Sequence, residues 1–363
     1  MVRSELTSRQ RVQLALQHRP TDRVPVDFLA TPECWANLKK HLGLADEESV
    51  LKCLGVDLRQ PRLRYGGPPL PTFPDGSYRD AWGLVWSPIR HEGGVYFEVT
   101  HHPLADLIDA SQLDDTAWPN PDWWDVDALV ERVRAWDREA DYAVTVPDFG
   151  DPGGFWEIAT YLRGMEQILL DTALNPDMAF EIMRHVAGVM TALMERTLGR
   201  LGDRVDLVWT SDDIAHQHDL MLSLPALRKL ILPHHQRFNR RVHELGSRVM
   251  FHSCGSVMRA LPDLIDAGID VLDVLQFSAD NMTPERLKLA YGDRLCFHGG
   301  VDVQQLLPRS RPPEIKTIVD HLIEVLGQGG GFILSPTHNI QVDTPPENIV
   351  AIYRAAGSME RNA

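Results

Sequence analysis

Apolar and polar positions change rhythm twice along this chain. Near the start, Thr7-Ser8-Arg9-Gln10 places a threonine three residues before a glutamine, ahead of Val12, Leu14, Ala15 and Leu16. That capping box predicts a short helix ending before Pro20. Arg23-Val24-Pro25-Val26-Asp27-Phe28 has the apolar density of a buried strand despite its proline, with Asp27 near its end. From about residue 61 to 102 the texture shifts to Gly66-Gly67-Pro68-Pro69, Pro74-Asp75-Gly76-Ser77 and Glu92-Gly93-Gly94, turn signals between short aromatic and β-branched runs. These predict an inserted β-meander. Trp118 to Trp124 is too rich in proline for regular structure and reads as a packed surface connection.

Beyond Asp125 the rhythm becomes an alternation of helical stretches with apolar runs at Tyr142 to Val146, Val205 to Trp209, Arg248 to Phe251, Val271 to Leu275, Leu295 to Phe297 and Phe332 to Leu334. A helix is clearest from Leu224 to Leu245, with Ser223 as its N-cap and Gly246 as its stop. Such alternation implies parallel βα units. Six such strands plus the one at Val24 approach the eight of a (β/α)8 barrel, which can hold residues 1–363 as one domain. An open doubly wound sheet is the alternative, but the chain has no Gly-x-Gly-x-x-Gly turn.

Composition narrows the function classes. A net charge of -15 without a basic arm disfavours nucleic acid, and no apolar run is long enough to cross a bilayer. Cys34, Cys53, Cys254 and Cys296 have no framework spacing, and the start of the chain lacks a signal-peptide pattern, so a reducing cytoplasm is expected.

The candidate chemistry follows the predicted strands. In Phe251-His252-Ser253-Cys254-Gly255, an imidazole and a thiol two residues apart share a face of extended chain. They form half of a transition-metal site if His338, after the last strand, reaches the same pocket. The alternative is an inert buried thiol beside a polar histidine. Asp212-Asp213, Gln276 and His298 through Asp302 also follow strands, and in a parallel barrel all of these lie on the C-terminal rim, where barrel enzymes keep their active sites. Asp213 and Gln217 would share a helix face, with helix capping by Asp212 or Asp213 as the competing role. Glu157 and Arg163 follow the glycine-rich loop Gly150 to Gly154, either as a buried structural pair or with Glu157 as a fourth ligand. His216, His218, His234 and His235 read as surface or helix-face residues.

These residues resemble the uroporphyrinogen decarboxylase superfamily, through Arg9-Gln10-Arg11-Val12 to Asp22-Arg23-Val24-Pro25-Val26, Tyr161-Leu162-Arg163-Gly164, Asp212-Asp213, the His252-x-Cys254 segment, Gly299-Gly300-Val301-Asp302 and Asp343 to Asn348. The resemblance implies a distorted (β/α)8 barrel. In the cobalamin-dependent methyltransferase branch it implies a catalytic zinc held by a His-x-Cys pair and a later cysteine. Here that set is His252 and Cys254, with His338 in the later cysteine's place, which leaves the metal more positive and less specific for thiols and widens the choice to other transition metals, with zinc first. Tetrapyrrole decarboxylation is disfavoured, because the arginine-rich loop of those enzymes is replaced by Asp27-Phe28-Leu29-Ala30-Thr31-Pro32.

The expectation is therefore a zinc-dependent methyltransferase moving a methyl group between a small molecule and a corrinoid. No corrinoid-binding Asp-x-His-x-x-Gly motif is present, so the cobalt would come from a partner corrinoid protein or free cobalamin. Glu157, Asp213, Gln217 and Asp302 are the candidate catalytic groups, and Asp27, Arg163, Gln276 and His298 the candidate substrate contacts. The rivals are a metal-assisted decarboxylase or lyase of a small oxygenated acid, and a non-catalytic barrel that binds a ligand or a corrinoid protein.

Overall fold

Seven parallel strands curl into one sheet in chain order: β1 (Leu58–Arg59), β2 (Ala143–Val146), β3 (Leu207–Ser211), β4 (Arg248–His252), β5 (Val271–Asp273), β6 (Cys296–Val301) and β7 (Phe332–Pro336). The computed structural model describes residues 6–91, 94–147, 149 and 153–359. An eighth segment around Val26 closes the ring. On one side Asp27 N donates to Leu334 O, and Leu334 N donates to Pro25 O, each at 2.9 Å. On the other, Asp57 N donates to Val26 O, while the Asp57 carboxylate accepts from Val26 N. Pro25 has no N–H to give, so the contact is a bridge and not a full ladder. The result is a distorted (β/α)8 barrel.

β1 has no counterpart among the predicted strands. Its neighbours are charged, yet Asp57 and Arg59 are both buried. Asp57 takes ion pairs from Arg11 at 2.7 Å and Arg23 at 2.6 Å, and Arg59 pairs with Glu48 at 2.9 Å. Paired and hydrogen-bonded charges can occupy positions that periodicity reserves for apolar groups. The same pairs give the Arg11, Asp22 and Arg23 motif its physical role: Arg11 also holds Asp22 at 2.7 Å, tying the first helix to the barrel.

That helix, Ser8–Leu16, has the predicted capping box of Thr7 and Gln10. It plugs the bottom of the barrel. Val12 and Ala15 pack with Leu58, Ala143, Leu207, Met250, Val271, Cys296 and Ile333, one residue from each named strand. A larger apolar cluster fills the space between the strands and the outer helices.

The inserted meander is a three-stranded antiparallel sheet of Tyr78–Arg79, Val85–His91 and Gly94–His101. The turn expected at Glu92-Gly93-Gly94 and the glycine-rich loop Gly150 to Gly154 fall partly outside the described residues. The Trp118 to Trp124 stretch contains more structure than its prolines suggest, because Pro121–Trp123 forms a 3-10 turn and Trp124–Asp125 pairs with Arg64–Tyr65. The helix expected from Leu224 to Leu245 starts at Leu224 with Ser223 as its N-cap, as predicted, but passes through a π-turn at Leu227–Ile231 before Leu232–Glu244. Pro233 cannot donate to an i−4 carbonyl, and the wider turn accommodates it. No helix among the described residues is long and apolar enough to cross a membrane.

Candidate metal centre

Alternation along the strands builds the site. Met250, Val271, Cys296 and Ile333 belong to the apolar floor, so the residues two positions later face the same interior one layer higher. Those residues are His252, Asp273, His298 and Ser335. Next along the β4 face comes Cys254.

Asp273 joins two of the histidines. Its Oδ2 lies 2.6 Å from His252 Nδ1 and its Oδ1 lies 2.7 Å from His298 Nδ1. His298 Nε2 sits 3.2 Å from Asp27 Oδ2, which also accepts from Gln60 Nε2 at 3.0 Å. A carboxylate can only accept, so both Nδ1 atoms carry protons, and the neutral form of His252 has its lone pair on Nε2, facing Cys254. Burial works against a charged His252, but Asp273 and Cys254 outweigh it and lift its pKa well above the ordinary value in the metal-free chain. Burial works against a charged His298, but Asp273 and Asp27 outweigh it and lift its pKa to about 9. Burial also works against the Asp273 carboxylate; the two histidines prevail and hold it below its ordinary value.

Cys254 Sγ lies 3.7 Å from His252 Nε2. Two such ligands on a tetrahedral zinc, at about 2.3 Å for sulfur and about 2.05 Å for nitrogen, would stand about 3.6 Å apart. The separation matches two ligands of one zinc ion, and equally a thiol–imidazole hydrogen bond in the metal-free chain. A carboxylate oxygen of Asp213 completes a group whose ligand atoms all lie within 4.8 Å of one another. Asp213 is oriented by the Cys254 N–H, which donates to its Oδ1 at 2.7 Å. His338, the expected third ligand, is not part of that group, where Asp213 takes the third place; its ring centroid lies 5.8 Å from that of His252, and it lines a cleft with Cys254, Gln276 and Asp302. Its recessed position and the neighbouring His252 lower its pKa.

Glu157 enters from the helix Phe155–Arg163. That helix starts against the end of β3, so closely that a Cβ on Gly154 would sit 1.3 Å from Ser211 O. Asp212 caps it, with Oδ1 accepting from Trp156 N at 2.7 Å and Glu157 N at 3.0 Å, and Oδ2 held by buried His235 at 2.5 Å. Glu157 Oε2 accepts from Ser211 Oγ at 3.1 Å. Burial, then the Asp212 and Asp213 charges, raise its carboxyl to about 7, an arrangement suited to holding a proton near neutral pH.

Other expected roles change in the folded chain. Glu157 does not pair with Arg163, which turns away to Asp171 at 2.7 Å and to the carbonyls of Leu104, Ala105 and Leu107. Arg163 is thus a buried brace for the meander connection and not a substrate contact. His298 is fully buried behind His252, so its contact is with Asp273 and Asp27 and not with substrate. Asp27 is likewise buried. The segment after Asp212 is a loop and not a helix, because Asp212 and Asp213 are drawn to different partners. Gln217 instead meets Gln276, whose Nε2 donates to Gln217 Oε1 at 3.1 Å and whose Oε1 accepts from Gly255 N at 2.8 Å. Asp302 Oδ1 accepts from Gln304 N and Gln305 N at 2.6 and 2.7 Å, leaving its side chain on the cleft wall. His234 and His235 are buried, and burial lowers His234 to about 4.

Two groups of the site carry little signal in the sequence. Asp273, which aims His252, sits inside an apolar run whose neighbours advertise only a strand. Its signal was positional: on a barrel strand, an acid two residues beyond an inward apolar residue faces the interior. His235 had no such signal, because its partner Asp212 lies 23 residues away.

Two curated relatives, uroporphyrinogen decarboxylases of Pseudomonas fluorescens strains Pf0-1 and SBW25, are 23% and 25% identical, each over 72% of this chain and 72% of their own length. Among solved structures, a methyltransferase from Methanosarcina mazei superposes with a TM-score of 0.70, covering 97% of this chain and 99% of its own at 20% identity, a likeness of fold. The uroporphyrinogen decarboxylase (URO-D) family model matches residues 94–359, which include Glu157, Asp213, the His252-x-Cys254 pair, Asp273 and His338, and the chain belongs to that family.

Proposed function

We propose that this chain is a zinc-dependent methyltransferase that moves a methyl group between a small molecule and a corrinoid, carried by a partner protein or taken up as free cobalamin. The observation that supports it most is the 3.7 Å separation of Cys254 Sγ and His252 Nε2, with the imidazole aimed by Asp273. His252 and Cys254 would hold the metal with one further ligand, Asp213 or His338, which leaves one position of a four-coordinate zinc for the heteroatom. Zinc held there supplies Lewis acidity to the heteroatom that carries or receives the methyl group. One thiolate among nitrogen and oxygen donors favours an oxygen or nitrogen heteroatom over a simple thiol.

The protein's own groups do the rest. When a methyl group leaves a donor oxygen for reduced cobalt, the oxygen keeps the bonding pair and must gain a proton. Glu157, with its carboxyl raised to about 7, is suited to give that proton and to take it back in the reverse direction. Gln217, Gln276 and Asp302 would position the substrate along the cleft beside Cys254. Thr145 Oγ1, Trp209 Nε1 and Ser335 Oγ are buried without a hydrogen-bond partner among the described residues, and sit at inward strand positions that a bound substrate or water could satisfy. Decarboxylation of a many-carboxylate tetrapyrrole has less support, because the loop after the Val26 segment, Phe28 to Pro32, contains no cation.

The test is methyl transfer, in both directions, between methoxylated or N-methylated compounds and cob(I)alamin by zinc-loaded protein. Turnover by wild type and its loss in a folded Cys254→Ala variant are expected. Absence of transfer with every donor, or transfer indifferent to Cys254→Ala, refutes the proposal.

A further inference from the structure

A second cavity, of about 840 Å³, opens on the same rim on the side of the N-terminal strands. Its floor comes from chain ends that also serve the metal centre. Asp27 follows the Val26 segment and reaches His252 through His298 and Asp273; Gln60 follows β1; Asn339 follows His338 directly. Phe28, Trp35 and Trp136 form apolar walls, the first two packed edge-to-face at 4.5 Å.

The charge in this cavity runs against that of the whole chain. Glu48 is committed to Arg59 and to the Trp136 indole N–H, Glu131 to Arg134, and Asp27 to His298 and Gln60. Among the described residues, Glu47 is the one carboxylate of the lining with no such partner. Against it stand Arg62 and Arg64, exposed and without an ion-pair partner among the described residues, and Arg132, held over the Trp136 ring at 4.9 Å. The lining holds four guanidinium groups and four carboxylates, and once Glu48, Glu131 and Asp27 are answered by Arg59, Arg134 and His298, Arg62, Arg64 and Arg132 stand against Glu47 alone, a local positive excess in a chain of net charge -15. Guanidinium groups favour planar oxyanions, and aromatic walls beside them favour a flat apolar body.

We infer that this cavity is the subsite for the anionic end of a small organic acid, with its carboxylate among Arg62, Arg64 and Arg132 and its apolar body on Phe28, Trp35 and Trp136, directed toward the metal rim. The identity of this acid as the methyl donor or acceptor rests on the function proposed above; the binding itself requires neither metal nor corrinoid. The subsite differs from the loop after the Val26 segment, which contains no cation, because its arginines come from the segment after β1, including the strand Arg64–Tyr65, and from the helix Val126–Asp137.

The full chain would be titrated with benzoate and with its neutral counterpart benzamide by calorimetry at two salt concentrations. Benzoate is expected to bind at least about tenfold tighter than benzamide, to weaken with salt, and to lose about tenfold in affinity in R62M/R64M, the scale of a lost charge-assisted contact. Cys254→Ala should leave benzoate binding unchanged. Equal binding of the two probes, or benzoate binding that survives R62M/R64M, overturns the inference; so does its loss in Cys254→Ala, which would put the anion on the metal centre. Both arginines are exposed, and matched thermal unfolding of the variants confirms that folding is retained. If methyl transfer fails while benzoate binding behaves as described, the subsite is supported and only the proposed reaction falls.

Discussion

Replacing Asp273 with asparagine removes one charge and one acceptor while keeping the shape of the side chain. In the wild type each carboxylate oxygen accepts one imidazole N–H, from His252 at 2.6 Å and from His298 at 2.7 Å. Asparagine offers one acceptor and one donor group, so one of the two histidines must present an unprotonated Nδ1 to the new amide. If that histidine is His252, its neutral form carries the proton on Nε2, the atom facing Cys254, instead of on Nδ1, so even the neutral ring has no lone pair for the metal until that proton is displaced. If it is His298, His252 keeps its tautomer but loses a charged partner that raises its basicity. Loss of a carboxylate behind a metal-bound histidine costs about 10- to 100-fold in affinity, or about 1.4 to 2.7 kcal/mol. Competition between the protein and a chromophoric chelator for zinc would measure the dissociation constants of wild type and Asp273→Asn at neutral pH. A zinc affinity within about twofold of wild type, in a variant with native circular dichroism and thermal unfolding, would refute the claim that Asp273 orients a metal ligand.

Arg163→Leu leaves Asp171 as a buried, unpaired carboxylate and three carbonyls without their donor, so urea unfolding should show a loss of about 3 to 5 kcal/mol. A loss below about 1 kcal/mol would show that the brace is not structural. In metal-free protein Glu157 has its pKa raised from 4.5 to about 7, so its contribution is complete below pH 4.5 and is lost as pH rises through 7. Glu157→Gln should therefore gain stability relative to wild type between pH 5 and pH 8 in urea titrations. Parallel stability profiles for the two proteins would contradict a raised Glu157.

The strands β2 to β7 were legible because each is largely buried and so appears as an apolar run, and the turn at Pro74 to Ser77 was legible because its backbone geometry is local. The His252-x-Cys254 pair was legible for a similar reason: alternation along one strand is a local property, and it places both side chains on one face wherever that strand goes. β1 was not, since Asp57 and Arg59 are stable in the interior only through Arg11, Arg23 and Glu48, partners supplied from elsewhere in the chain. Asp212 and Asp213 are adjacent in sequence yet serve different ends, one capping the helix at Phe155–Arg163 and the other joining Cys254. Their separation, the turning of Arg163 away from Glu157, and the bridging of His252 and His298 by Asp273 depend on distances between strands and helices far apart in sequence. Local pattern thus determined which residues face the barrel interior; closure of the barrel decided which of them meet, because a carboxylate or imidazole takes its role from the charge or proton placed opposite it.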